Sequence, residues 1–251
     1  MLKKILIGIL LYLVFLIALL PASVVVALIP MPTGVNVGGV SGTVWQGQAQ
    51  TIQINERQLE QVRWDIQSLK LLTGAVVADV QVGGRSSALQ MKGELGWSLS
   101  GARVANLKLD TGHGFLLGNT KLPFGAKVEG DVSLMLAEFQ QGKPWCDALS
   151  GKLFVQYANL KNQFGEYPLG NIELNLSCDA GQVQLLAMED KNQLGLTGSV
   201  LLADEGKLVV QAKIRETEFQ TADMKKALAF LGRKDAEGYY PIVWQGRIPG
   251  V

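Results

Sequence analysis

The sequence predicts a mainly β protein, in which an N-terminal transmembrane helix is followed by a long, curled antiparallel β-sheet domain with one or two short helices. Three observations carry that expectation. A charge-free apolar run fills residues 5–29, hydrophobicity then alternates with a period of two, and glycine-containing turn signals separate the alternating segments. The 251 residues suffice for one or two domains.

The chain opens Met1-Leu2-Lys3-Lys4, so residues 1–4 form a charged tip. From Ile5 to Ile29 the only departures from plainly apolar residues are Gly8, Tyr12, Pro21 and Ser23. A helix needs about 20 apolar residues to cross a hydrocarbon core of about 30 Å. A run of 25 meets that length, and a Pro21 kink is tolerated in a membrane. The competing reading is a cleaved signal peptide. Its apolar region would span only about 7–15 residues. The best cleavage point, after Ala22, has Leu20 where a small residue belongs. Lys3 and Lys4 precede the run and no basic residue follows before Arg57, so the positive-inside rule puts residues 1–4 in the cytoplasm and the rest across the membrane.

Residues 30–39, with Pro30, Pro32, Gly34, Gly38 and Gly39, read as a short linker, and residues 40–251 as the β-rich domain. Ala105, Leu107 and Leu109 alternate with polar residues, as do Ile172, Leu174 and Leu176, then Val183 and Leu185, and finally Leu208, Val210, Ala212 and Ile214. Such segments are half-buried antiparallel strands. Turns are expected at Gly83-Gly84, Asp110-Thr111-Gly112, Asp179-Ala180-Gly181 and Asp204-Glu205-Gly206. An apolar–polar–Gly–x–Val/Leu pattern recurs around Gly42, Gly74, Gly93, Gly130, Gly151 and Gly198. The spacing is irregular, so these read as strand openings at which glycine permits a bulge or bend. Two helices are predicted. Ser68 is the expected N-cap of a single turn ending before Gly74, and Thr221 caps a helix to Leu231 with Gly232 beyond its end. A last strand runs from Tyr239 to Arg247.

Cys146 and Cys178 would lie in an oxidising compartment, where they either form a disulfide or remain as two buried thiols. Without Lys3 and Lys4 the chain has 21 basic and 22 acidic residues, interspersed and without a basic stripe, which argues against a nucleic-acid partner. Catalytic constellations are scarce, and no cofactor is expected. The single histidine, His113, lies between Gly112 and Gly114 and reads as a turn residue. One histidine excludes a His-rich metal site and weakens any histidine-based triad. The Gly112–Gly118 stretch has one residue too many for G-x-G-x-x-G and no expected strand-then-helix setting. Glu189-Asp190 and Asp204-Glu205 read as solvated turn carboxylates. Trp45, Trp64, Trp97, Trp145 and Trp244 read as core and sheet packing, with a binding surface as the alternative. An enzyme is not expected.

Several blocks, in order, resemble the protein N family of the bacterial type II secretion system. They are Gly39-Val40-Ser41-Gly42-Thr43-Val44-Trp45-Gln46-Gly47, Leu59 to Ile66 with Trp64, and Leu71-Leu72-Thr73-Gly74. Near the C-terminus come Leu228-Ala229-Phe230-Leu231-Gly232 and Gly238-Tyr239-Tyr240-Pro241-Ile242-Val243-Trp244-Gln245-Gly246. The family-motif positions are Gly42, Trp45, Gly47, Trp64, Gly74, Gly232, Gly238, Tyr239 and Gly246. The resemblance implies a Gram-negative inner-membrane protein with a periplasmic domain, an accessory part of the machine that moves folded proteins across the outer membrane. It implies no catalytic residues, and partners among other components of that system, protein C among them. The first two blocks are also similar to AsmA-like envelope proteins, whose curled sheets carry an apolar groove. That likeness implies lipid as an alternative partner.

Overall fold

The computed structural model describes residues 2–118, 125–163 and 165–247. Met1 of the expected tip, and residues 119–124, 164 and 248–251 of the expected β-rich domain, lie outside the described residues. The chain divides into two compact units, Met1–Leu99 and Ser100–Val251.

In the first unit the apolar run does not form the expected transmembrane helix. It forms α1 (Leu2–Ala18) and a separate α2 (Ala22–Leu28). Among the described residues no helix is long and apolar enough to cross a membrane. Pro21 is the physical reason. Its ring disfavours helical geometry at the residue before it and it has no N–H to continue the ladder, so the helix stops and restarts. Seventeen residues at about 1.5 Å each span about 26 Å, short of the roughly 30 Å core. The orientation read from Lys3 and Lys4, both exposed in α1, rests on that span. The interrupted end of α1 is held by one side-chain and one backbone donor from the segment before β3. The Trp45 indole N–H donates to the Ile17 carbonyl at 2.8 Å, and the Val44 N–H donates to the Leu20 carbonyl at 3.0 Å. The Leu20 carbonyl beyond the helix end is thereby satisfied, and the Ile17 carbonyl, which also accepts from the Leu20 N–H at 3.3 Å, gains a second donor.

The mainly β, antiparallel part of the expectation holds. The first unit contains β1 (Val35–Gly38), β2 (Ser41–Gly42), β3 (Gln46–Ile54), β4 (Arg57–Ile66), β5 (Val76–Val82) and β6 (Leu89–Ser98). β1 falls inside the segment expected as a linker. The pairing order is β1-β3-β4-β5-β6, with β2 also on β3. Alternation puts Ala49 directly opposite Val62, and both are buried together with Val82. The helical turn α3 (Ser68–Leu71) takes Gln67 as its cap, not Ser68. Gln67 is tied to the sheet through its N–H to the Val77 carbonyl and its amide to Asp79 and Glu94, and the helix begins at Ser68, one residue earlier than expected.

The second unit is an antiparallel meander of β7 (Gly101–Gly112), β8 (Lys127–Gln141), β9 (Cys146–Asn162), β10 (Gly165–Asp179), β11 (Gln182–Asn192), β12 (Leu196–Leu202), β13 (Lys207–Ile214) and β14 (Tyr240–Arg247). Register aligns the alternating apolar residues into rows. Leu109, Leu134, Leu153 and Leu174 stand opposite one another, and the row continues through Ala187, Gly198, Ala212 and Ile242. Asp110-Thr111-Gly112 is strand, not the expected turn, because all three pair with β8 and Thr111 is buried. Only some of the repeated glycines open strands. Gly130 lies at a β8 register shift, whereas Gly151 sits within β9, where an added Cβ would lie 2.6 Å from the Met135 carbonyl.

The second predicted helix forms as α5 (Ala222–Leu228), continued by a 3₁₀ turn at Ala229–Leu231. The Thr221 hydroxyl caps it, accepting from the Met224 N–H at 3.2 Å. Met224 and Leu228 pack with Leu194, Ile214 and Tyr240 to form the buried cluster of this unit, over one end of the apolar rows. Gln220 is buried beneath the cap. Its amide donates to the Leu194 and Arg215 carbonyls at 2.8 and 2.9 Å, and its oxygen accepts from the Thr217 N–H at 3.1 Å.

Candidate functional site

Four of the five positions expected as family motif in the first unit, Gly42, Trp45, Gly47 and Trp64, lie at one strand corner. Gly47 lies directly opposite Trp64, and the Trp64 indole N–H donates to the Val44 carbonyl at 2.9 Å. The indole lies against Gly47, so an added Cβ there would sit 2.9 Å from Trp64 Cε2 and 2.8 Å from the Thr43 carbonyl oxygen. Gly42 pairs with Gly47 in β2–β3 at a φ of +85°, a conformation that favours glycine. Trp45, between them, caps α1. Gly74 follows α3 in the turn that leads into β5.

In the second unit, Gly232 follows the 3₁₀ turn and Gly238 lies in the turn before β14. Gly246 lies under the Trp244 ring, where an added Cβ would be 3.1 Å from Cζ3. Tyr239 anchors the turn to the sheet. Its hydroxyl donates to Glu189 Oε2 at 2.5 Å, Glu189 pairs with Arg215, and Lys213 Nζ lies 4.3 Å from the Tyr239 ring centroid. The hydrogen bond to Glu189 raises the phenol pKa above its ordinary value, with burial adding to the effect. Beside this group, Lys234 pairs with Glu216 at 2.7 Å and stacks over Tyr240, 5.2 Å from the ring centroid. The Lys234 hydrogen bond holds the Glu216 carboxyl below its usual range.

The expectation of solvated turn carboxylates is therefore corrected for Glu189, whereas Asp190 is exposed as expected. Both lie in β11, and Glu189 is half-buried between an arginine and a tyrosine. Fifty residues separate Tyr239 from Glu189, so no local pattern could have revealed the pair. His113 is likewise no turn residue. It starts the five-residue helix α4 (His113–Leu117) directly after β7, and its Nδ1 accepts from the Gly130 N–H at 3.4 Å. Asp204-Glu205 does form a turn, where Glu205 pairs with Arg247 at 2.6 Å. Among the described residues no group of His, Cys, Asp or Glu is placed to hold a metal ion.

Cys146 and Cys178 are bonded to each other, with Cα atoms 6.1 Å apart. Cys146 is only 1% exposed. The N–H groups of Trp145 and Cys146 both donate to the Gly181 carbonyl, and the Trp145 indole donates to the Ala203 carbonyl at 2.7 Å. Of the tryptophans, Trp45, Trp64 and Trp145 are half-buried and hydrogen-bonded, whereas Trp97 and Trp244 are exposed.

Comparison with known proteins gives one consistent result. The family profile described as "Type II secretion system (T2SS), protein N" matches residues 33–243. The type II secretion system protein N of Aeromonas hydrophila is 33% identical over 240 residues, covering 94% of this chain and 94% of the relative. That of Vibrio cholerae serotype O1 is 29% identical over 231 residues, covering 91% of each, and that of Pectobacterium carotovorum is 26% identical over 239 residues, covering 94% and 93%. No solved structure matches the chain. With the profile spanning most of both units, and the Aeromonas relative matching nearly end to end, the chain belongs to the type II secretion system protein N family.

Proposed function

We propose that the chain is a non-enzymatic component of the type II secretion system that supports export of folded proteins across the outer membrane through protein–protein contacts. The observation that carries this reading is the duty of the motif residues. Gly42, Gly47 and Trp64 shape one strand corner, Trp45 caps a helix, Tyr239 fastens a turn, and Gly246 lies under Trp244. These are devices of fold and surface, and none of them brings an acid, a base and a nucleophile together.

The Cys146–Cys178 bond supports a periplasmic setting for the β-rich region, since disulfides persist in oxidising compartments. The exposed apolar side chains of α1 support attachment at the inner membrane. The edge strand supports a docking role. Among the described residues β14 pairs with β13 alone, and Val243 and Trp244 on it are 72% and 51% exposed. An open edge of this kind accepts a strand from a partner. On this reading protein C is among the partners, as the family resemblance implies. Native purification from the cell envelope tests it. Other secretion components should accompany the chain, and fewer should accompany a Val243→Lys, Trp244→Lys variant. Recovery of the chain without any secretion component would overturn the proposal.

A second reading, lipid handling, is favoured by the row from Leu109 to Ile242. It crosses eight strands, and its leucines Leu109, Leu134, Leu153 and Leu174 are half-buried. Each buried CH₂ of an acyl chain would contribute about 0.8 kcal/mol there. Native mass spectra of the same preparation decide it, because a bare polypeptide mass excludes bound lipid.

A further inference from the structure

The segment between α5 and β14 presents nine consecutive exposed residues, 229–237. α5 turns Met224 and Leu228 into the core, yet the next turn points Phe230 and Leu231 outward, 91% and 43% exposed. Phe219, just before the helix, is 73% exposed. The alternation of this amphipathic stretch is therefore satisfied on one side by the sheet and left open on the other.

The charge around that open side is not random. Between Met224 and Lys234 lie Lys225, Lys226, Arg233 and Lys234, with no carboxylate among them. Of the neighbouring acids, Glu218 is exposed beside Phe219, and the others are engaged. Asp223 pairs with Lys226 at 3.4 Å, Glu216 with Lys234 at 2.7 Å and Glu237 with Lys213 at 2.5 Å, while Asp235 accepts from the Glu237 and Tyr239 N–H groups. Outside those ion pairs, this stretch carries Lys225, half-buried and also acting on Glu216, and the exposed Arg233.

We propose that this loop docks on an anionic lipid surface, with Phe230 and Leu231 entering the boundary between headgroups and acyl chains while Lys225 and Arg233 meet the headgroups. An aromatic–aliphatic pair flanked by cations has the chemistry of an interfacial membrane anchor. Each basic residue near an anionic surface is worth about fivefold in binding. The sheet behind the loop gives it a rigid base, because the 3₁₀ turn packs on β14 and Tyr239 is fastened to Glu189.

The test uses the full chain with one nitroxide label at Ala229→Cys, the native cysteines being bonded to each other. The label is read with phosphatidylcholine vesicles, with and without phosphatidylglycerol. This local readout separates the loop from any binding by α1. The expected result is a rise in label accessibility to dissolved oxygen, and a fall in accessibility to an aqueous nickel chelate, on the anionic vesicles only. A Lys225→Glu, Arg233→Glu variant with an unchanged thermal melt should lose the shift. Three outcomes overturn the proposal: a label that stays aqueous on anionic vesicles, one equally protected on neutral vesicles, or one protected only when an acidic envelope protein is added.

Discussion

Replacing both Cys146 and Cys178 by serine should lower the unfolding free energy by about 3–4 kcal/mol. The bond joins residues 32 positions apart, the start of β9 to the end of β10, and its loss frees that loop in the unfolded chain. The site amplifies the effect, because Cys146 is buried beside backbone groups that fasten Trp145 and Cys146 to Gly181. Urea denaturation of oxidised and Cys→Ser chains measures it directly. An unchanged midpoint would mean that strand pairing alone fixes this end of the sheet. A large loss also ties the fold to its compartment, since a cytosol that reduces the bond would leave the second unit weakened.

Gly47→Ala should cost about 2–4 kcal/mol, a large effect for a single methyl. The new Cβ occupies the space of the Trp64 indole and crowds the Thr43 carbonyl, so Trp64 must move. Overpacking costs roughly 1–3 kcal/mol, and loss of the Trp64–Val44 hydrogen bond adds about 1 kcal/mol. The mechanism is open to a double-mutant cycle. If the indole is the obstacle, Gly47→Ala should be far less harmful in a Trp64→Leu background. Additive losses would show that Gly47 is needed for some other reason.

Much of the second unit was legible because its strands alternate cleanly and its register aligns those alternations. Ile172-Leu174-Leu176 and Leu208-Val210-Ala212 lie in β10 and β13 as their periodicity requires. The Thr221 cap was legible for a similar reason, as capping is set within three residues of sequence. The failures share a cause in tertiary context. Hydropathy alone treats residues 5–29 as one run, whereas Pro21 divides it and Trp45 and Val44 stabilise the break from 24 or more residues away. Asp110 to Gly112 carry turn residues but are held as strand by β8. Glu189 lies beside Asp190 in a stretch that reads as polar, and only the fold supplies Tyr239 and Arg215 to occupy it. The motif glycines were visible as letters. Their reason, an indole against Gly47 and another against Gly246, is set by the fold.

Secretion itself is the most direct measure of whether this chain is a working part of the type II machine. In a strain lacking the chain, grown where the system is needed, exoproteins should accumulate folded in the periplasm, and the wild-type chain should restore their release. Exoproteins appearing in the medium at the parental level without the chain would contradict that role.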